Sequence, residues 1–217
     1  PIPGYRVSTV YLLRLWSAQA GEVFDFQAFN VGDYARAVEQ KVASETISKV
    51  LYPNDEPSQG QRLRLEQQYF FASCAMQDMI RLYRQRTDRM EDLADKFTVQ
   101  LNDTHPAVAV AELMRLLVDS YAMAWEPAWA MVRKLVSFTN HTLLPEALET
   151  WSVEVFGAVL PRHLEIIYEI NRRFLDRVRR TWPGDEARVA RMSLIDESHG
   201  RRIRMAHLAC VASHKIN

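Results

Sequence analysis

Twice in this chain a short β-prone run breaks into a polar cluster carrying a histidine, and a proline then opens the next turn. The first is Phe97–Leu101, followed by Asn102-Asp103-Thr104-His105-Pro106. The second is Val136–Thr139, followed by Asn140-His141-Thr142, with Pro145 close behind. A strand that stops at polar residues and passes into a helix is the repeating unit of an α/β fold. Proline suits the first helical turn, where its missing N–H has no partner to lose. Ligands of an open parallel sheet bind beyond the carboxyl ends of its strands. Both histidines, with their hydrogen-bonding neighbours, are therefore expected on one rim.

The remaining elements are consistent with that frame. Arg6–Leu15 alternates apolar and polar residues and reads as a strand. Asp33 is placed to cap a helix through Leu51, and Tyr52–Gln61, with two prolines and Gly60, reads as a loop. Helices are expected over Arg62–Gln85, from Pro106, over Trp125–Leu135, from Pro145-Glu146, over Ser152–Leu160 and over Pro161–Arg180. Met192–Ile195 and Met205–Ala212 read as strands, and Arg201–Arg204 as a solvated strand or turn. The fold expected is α/β, a mainly parallel sheet surrounded by many helices.

Composition narrows the function classes. Lys+Arg and Asp+Glu number 27 each, so no net charge draws the chain to nucleic acid or an anionic membrane. No apolar run reaches the roughly 18 residues of a membrane span, and no basic-then-apolar leader is present. Cys74 and Cys210 are too few and too far apart for a disulfide framework and fit a reducing, cytoplasmic setting. The start at Pro1-Ile2-Pro3 and the stop at Ile216-Asn217 read as cuts, giving the expectation of a fragment.

The candidate rim residues admit several readings. Asp103, Asp55, Glu56, His105, His141 and the neighbouring amides can satisfy many hydroxyls, as a sugar demands. Asp103 or Thr104 can equally be a helix cap, and His141 a hydrogen-bonded core histidine. Asp103 paired with Asp55 or Glu56 would be a glycoside-hydrolase arrangement. Asp103, His105 and His141 would be a metal site, although no His-Glu-x-x-His spacing is present. Asn140-His141-Thr142 also matches a glycosylation sequon, here without a secretory context.

Longer motifs carry more. Asn30–Tyr34, Val50–Asp55, Leu63–Phe70, Gln100–Pro106, Thr139–Thr142, Leu144–Glu149, Leu160–Asn171, Arg191–Leu194, Met205–Leu208 and Ser213-His214 follow one another in order. Together they resemble the pyridoxal-phosphate-dependent α-glucan (glycogen, starch or maltodextrin) phosphorylases, almost end to end. The resemblance implies a GT-B architecture of two Rossmann-like domains, with residues 1–217 an incomplete N-terminal domain and the cofactor-binding C-terminal domain absent. It implies reversible phosphorolysis of terminal α-1,4-glucosidic bonds to glucose 1-phosphate, with no carboxylate nucleophile, so the hydrolase reading of Asp103 loses its basis.

Position by position, the resemblance puts His141 beside the sugar in the cleaved subsite, as the catalytic member of this stretch. Asp103 and His105 line the acceptor side, with Tyr52, Arg64 and Glu149 nearby and Asn140 and Thr142 flanking His141. Asp55 falls in a loop that gates the cleft. Glu56, where the family commonly has Asn, and Pro57-Ser58 depart from the animal pattern and lean toward a bacterial member. The helix from Tyr34 to Ile47 resembles the family's homodimer helix. The lysine that holds pyridoxal 5'-phosphate and the residues that bind inorganic phosphate belong to segments outside this chain, so the piece alone is expected to be inactive. A glucan-binding or dimerisation module stays the alternative function.

Overall fold

Two strands of equal length lie side by side in parallel at the centre of the larger unit. They are β1 (Val99–Asn102) and β2 (Val136–Thr139), paired Val99 to Val136 through Asn102 to Thr139. A third strand, β6 (Lys215–Ile216), joins β2 in the same direction. This computed structural model describes residues 4–21, 25–198 and 200–217, without the side chains of Gln40 and Glu146; the Pro1-Ile2-Pro3 start lies outside the described residues. The chain divides into two compact units, residues 1–54 and 55–217.

The smaller unit holds α1 (Phe26–Asn30) and α2 (Tyr34–Lys49), which pack on each other. Asp25 and Asp33 cap them, the Asp33 carboxylate accepting the Arg36 N–H as its sequence position anticipates. Arg6–Leu15 is not a strand here. Its residues join no ladder among the described residues, and Leu12 and Leu15 are 76% and 86% exposed. Alternation gives a segment a β-compatible pattern, but a strand exists only where a neighbour accepts its hydrogen bonds.

In the larger unit, α3 (Ser58–Arg84) starts inside the expected loop, with Pro57 as its first flanking residue. After α4 (Leu93–Lys96) and β1, a 3₁₀ turn at His105–Ala107 leads into α5 (Val108–Arg115) and a π turn at Leu116–Ser120. Val108 to Met114 are all buried and, Glu112 apart, apolar, so α5 is a core helix up to its last residue, Arg115. α6 (Trp125–Leu135) runs directly into β2, both with the limits expected from sequence. Leu101, Leu113, Leu117, Leu135, Val136 and Phe138 form the centre of the core.

The segment after β2 departs from expectation. Pro145 opens only a 3₁₀ turn, Pro145–Ala147, before β3 (Thr150–Ser152). Then come α7 (Val153–Val159), capped by Ser152, and α8 (Pro161–Thr181). α9 (Glu186–Met192), β4 (Ile195–Asp196) and β5 (Arg202–Arg204) follow. Here β3, β5 and β4 make a second sheet, antiparallel throughout, so the sheet structure is mixed rather than mainly parallel. Met205–Ala212 is a helix, α10, not a strand. Its Met, Ala and Leu residues are strong helix formers, and a run that is apolar at every position but His207 carries no clear period to separate strand from helix.

Candidate functional site

The carboxyl ends of β1 and β2 stop level with each other, because their last paired residues are Asn102 and Thr139. Polar residues that follow the two strands are thereby brought to one edge. The chain turns away from β1 at Asp103, whose φ of 69° is left-handed, a conformation that Asp tolerates better than bulkier residues. Two bonds hold it there: its N–H donates to the Thr139 carbonyl at 2.8 Å, and its Oδ1 accepts the Thr104 N–H at 2.8 Å. Neither Asp103 nor Thr104 caps the helix that follows, since no side-chain cap bond occurs at the His105 turn or at α5. Thr104 is fully buried with its hydroxyl oxygen unpartnered among the described residues.

The second strand end is ordered by its own side chains. Asn140 Oδ1 accepts the Thr142 N–H at 3.1 Å, and Thr142 Oγ1 accepts the Leu144 N–H at 3.2 Å. Backbone bonds from Asn140 to the Asn217 carbonyl and from Asn217 to the Phe138 carbonyl extend the rim to the end of β6. His141 is exposed rather than a core histidine, and its Nε2 lies 2.5 Å from Asn102 Oδ1. With the proton on Nε2 the ring donates to that amide oxygen, which fixes its plane over the strand ends. Below this edge Gln100 bridges Ser137 and Thr139 across the two strands. His105 is also exposed, at the first position of its 3₁₀ turn.

A second polar group gathers on α3. Arg64 donates to Asp55 at 2.6 Å, and its other terminal nitrogen stands 3.5 Å from Glu149 Oε1. Gln68, one helical turn beyond Arg64, donates to the same Oε1 at 2.9 Å. Glu149 Oε2 and Gln68 Oε1 are both buried without a partner among the described residues. The cluster thus offers acceptors for a hydroxyl or water, and α3 packs against the His105–Ala107 turn. Asp55, Arg64 and Glu149 are brought together; Tyr52 belongs to the smaller unit, where it is 89% exposed with a left-handed φ of 52°.

Two participants were not singled out from sequence. Asn102 could have been found from the flush ends of the two polar motifs, and Gln68 from its i, i+4 spacing to Arg64 on one helix face. The metal reading gains nothing: no group of three His, Cys, Asp or Glu able to hold an ion occurs among the described residues. Asp55 is engaged by Arg64 rather than left as a free catalytic carboxylate. A cleft of about 350 Å³ lined by Trp125, Trp129, Phe174 and Arg177 does not include any of these rim residues. Its Arg173 is committed to Glu169 and to the Trp125 ring. Hydrogen-bonding geometry, not concavity, singles out the rim.

Comparison with known proteins gives the same family throughout. The family model for carbohydrate phosphorylases matches residues 1–217. Glycogen phosphorylase of Synechocystis sp. is 60% identical over all 217 residues, and that of Chlamydia pneumoniae 49%. The brain form of glycogen phosphorylase from Homo sapiens is 49% identical over an aligned length of 225 residues. In each case the whole of this chain is covered but only 26–27% of the relative, so the chain spans about a quarter of the length of these proteins. A match along all 217 residues, on a mixed α/β framework with a polar rim at its parallel strand ends, establishes that the chain belongs to the carbohydrate phosphorylase family.

Proposed function

We propose that these residues form part of the N-terminal domain of a GT-B α-1,4-glucan phosphorylase and build the sugar-facing wall of its cleft. One observation carries this reading: His141, Asn102, Asp103 and Asn140 converge at the flush ends of β1 and β2, an edge made of hydrogen-bonding groups with opposed donors and acceptors. A pyranose presents hydroxyls that each donate and accept, and such an edge matches them. His141, oriented by Asn102, would bind a hydroxyl of the glucosyl unit being transferred and present its main chain to the charge that develops there. Asp103, with one oxygen accepting a single N–H, keeps acceptor capacity for an acceptor-side sugar, and His105 stands beside it. Glu149 offers its unpartnered Oε2 to a further hydroxyl, while Arg64 and Gln68 hold the other oxygen. Asp55, tied to Arg64, would connect the start of α3 to that wall and act as its gate.

Pyridoxal 5'-phosphate belongs in this reading to the parent protein, where its phosphate would supply proton transfer with the substrate phosphate. The free thiols Cys74 and Cys210 and the lack, among the described residues, of a helix able to cross a membrane fit a cytoplasmic enzyme. A second copy would pack through α2, whose Tyr34, Val38 and Val42 are exposed at one helical spacing. The test is an assay of the full-length protein with maltoheptaose and phosphate: glucose 1-phosphate is expected, and none from residues 1–217 alone. Reducing sugar released without phosphate would overturn the reading in favour of hydrolysis.

A further inference from the structure

The two polar groups of the rim stand at the starts of two different helices. Arg64 and Gln68 lie on α3, and Asp103 and His105 precede α5. What keeps those helices in register lies deeper, at a carboxylate the proposed chemistry does not use. Glu112, on α5, has no solvent exposure. Its Oε1 accepts from the Ser73 hydroxyl of α3 at 2.7 Å and from Arg115 at 2.9 Å. Its Oε2 accepts from Arg115 at 2.7 Å and meets Nε2 of His163, on α8, at 2.7 Å. Gln77 donates to Ser73 Oγ at 2.8 Å, and Tyr69 stands edge-on to the His163 ring, with centroids 5.0 Å apart. Ser73 and His163 are both 4% exposed.

Burial by itself would make this carboxyl harder to ionise. The bonds from Arg115, His163 and Ser73 outweigh that and hold its pKa down at about 2. The group is therefore a charged acceptor gripped from three helices. Elsewhere α3 and α5 meet through Leu65, Ala72, Met76, Leu113 and their neighbours, which are apolar and non-directional. Such an interface tolerates small slides, whereas a buried carboxylate with donors fixed on three helices is satisfied in one register only. Ser73 lies nine residues beyond Arg64, and Glu112 seven beyond His105, so the lock sits roughly 10–14 Å below the rim at about 1.5 Å per residue.

We propose that Glu112 is a positioning residue of the glucan wall, joining α3, α5 and α8 so that the Arg64–Glu149 group and the Asp103–His141 group face one substrate together. This rests on the phosphorylase reading above. The experiment uses the full-length protein and its Glu112→Gln and Ser73→Ala variants, with maltoheptaose and inorganic phosphate each varied in turn. Glu112→Gln keeps the volume and loses the charge, while Ser73→Ala removes one clamp and leaves the carboxylate paired, so the test survives if the first variant does not fold. The expected result is a KM for maltoheptaose raised at least fivefold in each folded variant, with the KM for phosphate within twofold of the parent value. These are to be read at a temperature where their circular dichroism matches that of the parent protein. A lowered Tm with both KM values unmoved, or both raised alike, would mean a purely structural node and overturn the inference alone. A parent protein that forms no glucose 1-phosphate would overturn the phosphorylase reading and this inference with it.

Discussion

Nε2 of His141 sits 2.5 Å from Oδ1 of Asn102, across two parallel strands whose final paired residues are Asn102 and Thr139. The imidazole is exposed, so packing does not hold it. Its orientation comes from one amide on the neighbouring strand. Asn102→Ala leaves the strand pairing intact and frees the ring. A single neutral hydrogen bond contributes about 0.5–1.5 kcal/mol, so kcat/KM for maltoheptaose in the full-length protein should fall roughly three- to tenfold. Melting temperature should stay unchanged. Undiminished kcat/KM would show that His141 needs no such support.

Arg64 spans Asp55 and Glu149, and its value lies in that fork. With side-chain exposures of 35% and 49%, the Arg64–Asp55 pair is screened by water and contributes less than about 1 kcal/mol to folding. Arg64→Ala should therefore move Tm by no more than about 2 °C while raising the KM for maltoheptaose. Arg64→Lys should recover only part of the loss, because an ammonium cannot present two fixed donors to two carboxylates. Full recovery by lysine would reduce Arg64 to a point charge.

These contacts explain how far the sequence can be read. β2 and α6 were legible because Trp125–Leu135 carries a helical period and Val136–Thr139 is a short β-branched and aromatic run stopped by Asn140. The rim followed from its two polar motifs, each of which contains its own strand end. Met205–Ala212 was misread because a short run that is apolar at all positions but His207 is compatible with either element. The antiparallel sheet was invisible because its strands have two or three residues, and Thr150 finds Arg204 only after a long detour. Gln68 and Glu149 are 81 residues apart, and Glu112 finds its partners on two other helices, so no local pattern reveals either. What is set locally can be read locally, whereas tertiary register needs the fold.

The outward face of α2 gives a prediction about assembly. Tyr34, Val38 and Val42 recur every fourth residue and are 64%, 40% and 59% exposed, a stripe that water does not favour. Val38→Glu or Val42→Glu places a charge in the middle of any contact made by this stripe, and an unpaired charge in a dry interface is costly. Sedimentation velocity of the full-length protein at low micromolar concentration should show the proposed dimer shifting to monomer in either variant. A dimer unaffected by both charges would place the interface elsewhere.

Glu112 predicts how stability responds to acid. Its folded pKa of about 2 lies below its ordinary 4.5, so its contribution is complete above 4.5 and is lost as pH falls toward 2. Removing the carboxylate leaves Arg115 and His163 facing an empty buried space. Glu112→Ala should cost about 3–5 kcal/mol, the range for breaking a buried ion pair from one side. Glu112→Gln separates the charge from the volume. The difference in Tm between the parent protein and Glu112→Gln should be widest near pH 6 and shrink by about half by pH 3, as the linkage relation for these two pKa values requires. Other carboxylates titrate in both proteins and cancel in the difference. A gap that stays constant from pH 6 to pH 3 would mean that the charge of Glu112 does not stabilise the three-helix junction, leaving shape alone to account for its burial.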